Sequence, residues 1–503
     1  MLSKVKVLVF LLIPVLLWGW GNDVEISTIH SSDYRYPVAY DMIWPNDTLM
    51  FAAIAFNDTA YGYVYYYIST DQGQTWSSFS AYYWPSQGKI KSIDLEFHGD
   101  TLYNLWLMEN GALLLHGQDF TGGTWSSSPN TVDSTVSAFL EIADRGGSPI
   151  FYIATTEASV DADSFTIYKS TDYGTTWNVV LNQPVGRTGG YERTIRDFDF
   201  TTKSDTILLY YTYERKDTAS NDHDIWTNIY KDDPSGNVTF GFQGVISTNS
   251  TLDTRYPSLT AFGDYIICLY EANSDILYSY STDYGDNFTR EIAFPFNTAD
   301  STEWAPYARW WWGYIWYGFN IIFLRENDLY YVETIIDADT ISWDSPVLVS
   351  DQHTPQYFLL NIFNYSYRPK LVNRYNVATP AVIWNHDYSH INWPNPLPVY
   401  DSTKFYTDNM MATGVGEIAI NKPLNIKVNT FATNNLHLEF STPVDRNMKL
   451  FIFDVQGRKV KESVIAKGTQ EITLDVHALK PGIYFLRIRD RQATETRKFI
   501  KVR

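Results

Sequence analysis

A short motif recurs three times in the sequence, and this repetition constrains the fold more than any other feature. The copies span residues 69–76, 170–177 and 281–288, and each follows an aromatic run typical of a β-strand. In such a turn the Asp accepts backbone N–H groups, the Gly adopts a positive φ and the last aromatic residue packs beneath. We therefore expect twelve residues to serve folding: Ser69, Asp71, Gly73, Trp76, Ser170, Asp172, Gly174, Trp177, Ser281, Asp283, Gly285 and Phe288.

The copies start 101 and 111 residues apart, about twice the ~40–50 residues of a four-stranded propeller blade. Fainter copies lie at 121–125, 232–240 and 341–343. Strand starts also recur, near Arg35, Lys91, Ser137, Arg196, Arg255, Arg309 and Arg368. The sequence thus predicts an all-β chain with a β-propeller, with seven blades favoured over six. Residues 24–31 are expected to supply the last strand of the final blade and close the ring.

At these turns the chain resembles the Asp-box (BNR-repeat) β-propellers, the superfamily that includes sialidases. The resemblance implies a propeller over residues 22–409. Residues 34–37, Tyr-Arg-Tyr-Pro, are similar to a sialidase element whose arginine binds the carboxylate of the substrate. It implies that Arg35 binds an anionic sugar, together with arginines at equivalent positions of later repeats: Arg255, Arg309 and Arg368.

The resemblance also implies catalytic carboxylates. Asp58, in the loop after the apolar run 52–56, matches the acid/base position best, and Glu271 lies at the end of a strand. The family's further arginine is absent at 56–59, and no tyrosine nucleophile stands out among 38 tyrosines. The alternative is that the arginines only mark blade starts, each paired with an acid of the propeller.

The densest aromatic cluster, residues 308–318, contains Trp310, Trp311 and Trp312. Exposed Trp rings suit the apolar faces of sugars, but propeller sheets also bury large aromatics between blades. Because alternate residues of a strand share a face, at least one of the three points away from its neighbours. A sugar-binding face and core packing both remain open.

Composition excludes several classes of protein. A net charge of −19 argues against a nucleic-acid partner, because phosphate neutralisation needs clustered Lys and Arg. The single Cys268 lies in an apolar run and is expected to be a small buried side chain. No zinc, serine-hydrolase or phosphate-loop motif occurs, so we expect no metal and no cofactor.

The chain begins with a pattern typical of export. Lys4 and Lys6 precede an apolar stretch over residues 7–17, which is short for a membrane span. We interpret residues 1–21 as a cleaved signal peptide, with an uncleaved anchor as the alternative.

Charge divides the rest of the chain. Residues 425–503 hold 15 basic and 8 acidic residues, a net +7, whereas the remainder carries −26. Residues 410–424 have the small and polar composition of a linker. Five strands predicted within 425–503 indicate a small antiparallel β-sandwich.

This segment resembles the C-terminal sorting domain of the type IX (Por) secretion system, at residues 451–460, 479–487 and 497–502. The resemblance implies the secretion machinery as a partner, and release or attachment at the outer cell surface.

Three functions follow as hypotheses. The first is an exported binding propeller for a glycan or protein, without catalysis. The second is a sialidase-like glycoside hydrolase acting on extracellular glycans. The third is a structural component of the cell surface.

Overall fold

The fold comes from a computed structural model. It describes residues 23–30, 36–46, 48–58, 60–83, 88–119, 123–128, 135–158, 162–186, 190–220, 222–247, 252–312, 317–326, 328–337, 340–350, 369–373, 380–390, 399–409, 426–428, 431–440, 443–444, 448–454, 459–480, 482–489 and 494–502. These residues fall into two compact units, one before residue 410 and one after it. Among them, no helix is long and apolar enough to span a membrane.

Aromatic and aliphatic runs form the strands of the first unit. The strands are β1 (Val24–His30), β2 (Tyr36–Ile43), β3 (Met50–Asn57), β4 (Gly62–Ser69), β5 (Ser77–Tyr83), β6 (Ile90–His98), β7 (Thr101–Met108), β8 (Leu113–Asp119), β9 (Thr124–Ser127), β10 (Thr135–Arg145), β11 (Ser148–Ala158), β12 (Ala162–Ser170), β13 (Asn178–Gly186), β14 (Tyr191–Lys203), β15 (Thr206–Asp217), β16 (His223–Asp232), β17 (Val238–Val245), β18 (Thr254–Phe262), β19 (Tyr265–Ala272), β20 (Asp275–Ser281), β21 (Thr289–Ala293), β22 (Glu303–Trp312), β23 (Tyr317–Arg325), β24 (Asp328–Asp337), β25 (Thr340–Trp343), β26 (Val347–Leu348), β27 (Lys370–Asn373), β28 (Pro380–His390) and β29 (Val399–Asn409).

Within the described residues these strands form seven antiparallel sheets, which are the blades of a β-propeller. Blades 1 to 5 are β2–β5, β6–β9, β10–β13, β14–β17 and β18–β21, each in chain order. Blade 6 is β22–β25, with β26 also paired to β24, and blade 7 contains β27, β28 and β29. The favoured count of seven blades is confirmed.

Blade 7 is completed by the first strand of the chain. β1 pairs antiparallel with β29, from Val24 opposite Thr407 to His30 opposite Ser402. The predicted closure by the N-terminal strand is therefore confirmed. It covers an edge that would otherwise present unpaired backbone groups.

The second strand of a blade is its most buried. All eight residues of β3 are buried, and Cys268 in β19 is fully buried as expected. Apolar clusters then join neighbouring blades; one of them packs Ala53 and Phe51 of blade 1 against Trp106 of blade 2. Sheets that are covered on both faces explain the near-continuous apolar runs of the sequence.

The second unit contains eight strands in the described residues: β30 (Ile426–Val428), β31 (Phe431–Ala432), β32 (Asn435–Phe440), β33 (Met448–Asp454), β34 (Lys459–Ile465), β35 (Glu471–Asp475), β36 (Gly482–Arg489) and β37 (Thr494–Lys501). One sheet has the order β30-β32-β35 and the other β31-β37-β36-β33-β34. Leu438 and Leu474 of the first sheet share a core with Ile452 and Leu486 of the second. The predicted sandwich is confirmed, except that β31 pairs parallel with β37.

Candidate functional site

The first strands of the blades place charged side chains around the propeller axis. We call this group the channel cluster: Asp41 (β2), Asp94 and Glu96 (β6), Glu141 (β10), Asp197 and Asp199 (β14), Arg309 (β22) and Lys370 (β27). These groups come from six blades, yet they shift one another's pKa values. Only the axis of a ring of blades brings six first strands together.

Four carboxylates of the cluster accept a backbone N–H from the first strand of the next blade. The bonds run from Leu95 N to Asp41 Oδ2 (2.9 Å), Leu140 N to Asp94 Oδ2 (2.7 Å), Leu259 N to Asp197 Oδ2 (2.7 Å) and Ala261 N to Asp199 Oδ2 (3.0 Å). In blade 5 the hydroxyls of Ser258 and Thr260 accept the equivalent bonds from blade 6. The cluster therefore joins neighbouring blades, a structural role.

Burial alters the acidity of the cluster. Desolvation, followed by the charge of Asp41, raises the pKa of Asp94 to about 7. Desolvation also raises the pKa of Asp199 to about 6. It raises the pKa values of Glu96 and Glu141 well above the ordinary range. Carboxyls that titrate near neutrality have the acidity of general acids and bases. Within the described residues, no group of three or more Asp, Glu, His and Cys side chains is arranged to hold a metal ion.

Arg309, one of the arginines predicted to bind an anionic sugar, belongs to the channel cluster. Its guanidinium donates a hydrogen bond to the Tyr307 hydroxyl, and Cζ lies 4.5 Å from the centre of that ring. Burial opposes the charge, but Tyr307, Asp197 and Asp199 raise the pKa of Arg309 well above its usual value. An anionic ligand here would meet the negative charge of the cluster. The surroundings suit Arg309 as a counter-charge for the channel acids.

Arg255 has a different environment. Its Nε lies 2.8 Å from Asp253 Oδ2, immediately before the first strand of blade 5. Arg196 similarly lies 2.7 Å from Glu214 Oε2 in its own blade. Arg255 and Arg309 therefore contact different partners, and the structure does not join them in one shared contact.

Arg35 and Arg368 lie outside the described residues. Tyr36 and Pro37, which complete the sialidase-like element, open β2. The substrate-binding role of the two arginines remains a prediction.

The Asp58 carboxylate closes its own turn. Oδ1 accepts hydrogen bonds from Ala60 N at 2.6 Å and Tyr61 N at 2.7 Å, and Oδ2 accepts one from the Tyr63 hydroxyl at 2.7 Å. Both oxygens are thus used within five residues of the chain, as in an Asx turn.

The Glu271 carboxylate links two blades. Its Oε1 accepts a hydrogen bond from Ala305 N, on the first strand of blade 6, at 2.8 Å. Glu214 occupies the matching place in blade 4, where it accepts a hydrogen bond from Tyr256 N of blade 5 at 2.5 Å. Glu271 therefore belongs to a set of contacts that fix the next blade.

The three repeated turns share one hydrogen-bond scheme. In the first, the Ser69 hydroxyl donates to Asp71 Oδ1 and accepts from Gly73 N, both at 2.7 Å. Asp71 also accepts hydrogen bonds from the backbone N–H and hydroxyl of Thr75. The turns at 170–177 and 281–288 repeat the scheme, with Thr176 and Asn287 as the donors.

Each of these turns connects the third strand of a blade to the fourth. The second turn, at residues 170–177, packs on the preceding blade. Gly174 has φ +77°, and a Cβ there would lie 2.6 Å from Leu115 of blade 2. The Ser127 hydroxyl of blade 2 donates to Gly174 O at 2.6 Å and accepts from Trp177 Nε1 at 3.2 Å. Trp76, Trp177 and Phe288 all pack against apolar clusters.

The aromatic cluster of blade 6 divides between core and surface. Trp311 is buried and its Nε1 donates to Thr334 O at 3.1 Å. Trp310 is 37% exposed and stacks on Phe262, with ring centres 4.9 Å apart. Trp310 and Trp311 therefore point to opposite faces of the strand, as expected for adjacent residues.

A cavity of about 260 Å³ lies between blades 3 and 4. Its aromatic walls are Phe165 of blade 3 and Tyr213, Trp226 and Phe240 of blade 4. The Phe165 and Tyr213 rings are 4.9 Å apart, and Phe240 is 51% exposed at the rim. We call this the interblade cavity.

Two arginines, Arg193 and Arg215, also line the interblade cavity. The Arg215 guanidinium lies 4.6 Å from the ring centres of both Trp226 and Tyr191, and it forms a 2.6 Å ion pair with Asp224. The buried Nε of Arg215 and Nε1 of Trp226 have no hydrogen-bond partner in the described part of the chain.

Amides form the remaining wall of the interblade cavity. Gln243 Nε2 donates to the Tyr213 hydroxyl at 2.8 Å and to Asn228 Oδ1 at 3.1 Å. Asn228 Nδ2 donates to the Tyr230 hydroxyl, which donates to Gln183 Oε1 at 2.9 Å. These bonds fix the orientations of the three amides before any ligand binds.

Sequence reasoning did not identify the interblade cavity, because its lining comes from six strands with no local motif. The signal lies in the register: β14 and β15 place Arg193 opposite Arg215, and β15 and β16 place Tyr213 opposite Trp226. Arg193 and Arg215 each end a Tyr-Glu-Arg pattern, at 191–193 and 213–215, but in the antiparallel register only the two arginines lie opposite each other.

Comparison with known proteins gives one family match. Residues 432–502 match the family described as "Secretion system C-terminal sorting domain". The β-sandwich is therefore a sorting domain of cargo for the type IX secretion system. The protein is exported, to be secreted or attached to the cell surface. A search of curated proteins gives no significant match.

The chain is also similar to solved structures, three of which follow. The α-L-arabinanase of Penicillium chrysogenum, complexed with arabinobiose, is 13% identical, with a TM-score of 0.43 over 78% of this chain and 99% of that one. The NanB sialidase of Streptococcus pneumoniae is 10% identical, with a TM-score of 0.41 over 77% of this chain and 70% of that one. The lectin of Aleuria aurantia is 12% identical, with a TM-score of 0.34 over 62% of this chain and 96% of that one.

Proposed function

We propose that the protein is an exported recognition propeller of the Asp-box type, which binds a glycan or a protein outside the cell without catalysis. One observation carries the proposal: both candidate catalytic carboxylates are used in hydrogen bonds that hold the fold. Asp58 closes its own turn through both oxygens, and Glu271 binds the backbone of blade 6. A general acid or base must come within hydrogen-bond reach of the proton it transfers, and these hydrogen bonds hold the two carboxylates to the fold instead.

The Asp-box assignment rests on the three repeated turns. Their shared scheme of hydrogen bonds, formed by Ser, Asp and Gly at equal spacing, supports one repeated structural element. The motif describes architecture, and propellers host many functions, so recognition has to be argued from the surface of this chain.

The proposal is tested with the full exported protein on a glycan array and against fluorogenic sialosides and neutral glycosides. We expect binding without turnover. Turnover that is lost in both Arg35→Ala and Asp58→Ala would contradict the proposal and establish the hydrolase. A variant of an exposed arginine, Arg290→Ala, is the matched control.

One observation favours the hydrolase as a second candidate. The channel cluster holds carboxyls whose pKa values lie near neutrality, Asp94 at about 7 and Asp199 at about 6, beside Arg309. Carboxyls whose pKa values lie near the working pH are suited to general acid and base catalysis. If they act in this way, Asp94→Asn lowers turnover of a glycoside by about a hundredfold or more, and the residual turnover loses one limb of its pH profile. Unchanged turnover in that variant removes the channel cluster from consideration.

The interaction with the secretion machinery is tested separately. In a host that carries the type IX system, we expect the chain that lacks residues 425–503 to remain in the cell because it does not cross the outer membrane. Secretion of the truncated chain at the normal level would contradict a role of this domain in export.

A further inference from the structure

We propose that the interblade cavity is a binding site for one sugar unit that carries an anionic group, a carboxylate or a sulfate. This inference deepens the proposed recognition function and rests on it. The site lies between blades 3 and 4, and its lining comes from β12 and β13 of blade 3 and from all four strands of blade 4, β14–β17.

The wall chemistry matches the parts of such a ligand. Trp226, Tyr213 and Phe165 offer aromatic surface to the apolar face of a sugar ring, as aromatic side chains do for other flat apolar ligands. Gln183 and Asn228 are already oriented by hydrogen bonds, so they lose little conformational freedom when they bind hydroxyl groups. The volume of about 260 Å³ suits a ligand of about one or two rings.

The charge of the cavity selects an anion. Two guanidinium groups, Arg193 and Arg215, line it, and no carboxylate does so among the described residues. Asp224 pairs with Arg215 from outside the lining. Arginine binds carboxylate and sulfate oxygens through paired N–H groups. Because the region outside residues 425–503 carries a net charge of −26, a cavity lined by two guanidinium groups and no carboxylate differs from the average charge of that region.

The charge of Arg193 acts on Tyr213, an aromatic residue of the cavity wall. Burial raises the pKa of Tyr213 to about 12, and the charge of Arg193 is the strongest influence in the opposite direction. Arg193 also lies near the start of β14, where its backbone N donates to Asp163 Oδ2 of blade 3 at 2.9 Å. The guanidinium is thus carried by a backbone that is fixed to both blades.

The experiment is isothermal titration of the full exported protein with three oligosaccharide probes: oligogalacturonate, a sulfated galactan oligosaccharide and the neutral galactan oligosaccharide. We expect an anionic probe to bind at least about tenfold tighter than the neutral one. The carboxylated and sulfated arms show which anion the cavity takes. Affinity should fall with added salt, because the charges are partly screened.

The variants locate the site. Phe240→Ala removes a ring that is half exposed, so the fold should be unaffected while affinity falls about threefold to tenfold. Trp226→Ala and Arg193→Ala should each weaken binding about tenfold or more. Arg193→Lys should restore only part of the affinity, since it keeps the charge but loses the planar fork. Arg290→Ala, in the outer strand of blade 5, is the matched control and should bind normally.

The outcomes separate the two proposals. If an anionic probe binds but Phe240→Ala, Trp226→Ala and Arg193→Ala keep full affinity, the cavity inference is overturned while the recognition function stands. Equal affinity for the anionic and neutral probes also overturns it. If neither the probes nor the glycan array gives any binding, and no protein ligand is found, the recognition function itself fails.

Discussion

Arginine occurs in two contrasting settings in this propeller. Arg309 of the channel cluster, on blade 6, is influenced by carboxylates from blades 3 and 4, whereas Arg193 and Arg215 line a cavity whose described walls contain no carboxylate. In the first setting the guanidinium is a counter-charge for buried carboxylates, and in the second two guanidinium groups line a space of ligand size, with Asp224 paired to Arg215 from outside the lining. The comparison teaches that the neighbours of an arginine, more than its place in the repeat, decide whether it serves the fold or a ligand.

The largest predicted effect is a loss of stability in a variant of the channel cluster. Asp197→Ala removes an acceptor for Phe198 N and Leu259 N and leaves both donors buried. We expect the free energy of unfolding to fall by about 2–4 kcal/mol, measured by urea denaturation, with ligand affinity unchanged. Asp300→Ala, at an exposed position, is the control. A stable Asp197 variant that had lost ligand binding would move recognition to the channel.

A second prediction concerns the turns that pack one blade on another. Gly174→Ala combines a positive φ with a Cβ 2.6 Å from Leu115, whereas Gly263→Ala has a positive φ and nothing within 4 Å. We expect Gly174→Ala to cost about 1–3 kcal/mol and Gly263→Ala about 1 kcal/mol. The difference, from paired urea titrations, measures interblade packing. Equal losses would mean that only backbone strain matters at these turns.

The smallest effect is a dependence of stability on pH. The folded-state pKa values of Asp94 and Asp199 are raised above the ordinary 3.8, so the folded protein binds more protons than the unfolded chain between about pH 4 and pH 7. The free energy of unfolding should therefore fall as pH rises through this range. Melting curves should show a midpoint a few degrees higher near pH 5 than near pH 8.

The matched variant for this effect is Asp94→Asn, which removes one of the titrating groups and should flatten the profile. The Asp172 turn carboxylate gives the opposite sign. Its hydrogen bonds with Thr176 lower the pKa to about 2, so its contribution is lost only as pH falls below about 4. A profile that rises from about pH 5 to about pH 8 would contradict the raised pKa values in the channel.

The fold was predictable from sequence because its signals are local and repeated. The turns at 69–76, 170–177 and 281–288 recur at a spacing of about two blades. Residues 24–31 precede the first blade start as residues 77–83 precede the second, and this predicted the closing strand. The sorting domain was predictable for the same reason, since its strand motifs stand in order over residues 451–502.

The candidate site was not predictable from the same signals. The role of Arg309 depends on Asp197 and Asp199, more than a hundred residues away in the chain and brought near only by the ring. The interblade cavity depends on the register of β14 with β15 and on the packing of blade 3. The spacing of residues along the chain predicts neither the role of Arg309 nor the interblade cavity, because register and packing between sheets are long-range properties.

The central claim is that ligands are recognised at the interblade cavity and not around the channel arginine. The most direct measurement is a crystal structure of the exported protein with the anionic oligosaccharide that binds best. We expect density for an acidic sugar against Trp226 and Phe240, with its anionic group at Arg193. Density at Arg309 in the channel, or beside Asp58 and Arg255, with an empty interblade cavity, would contradict it.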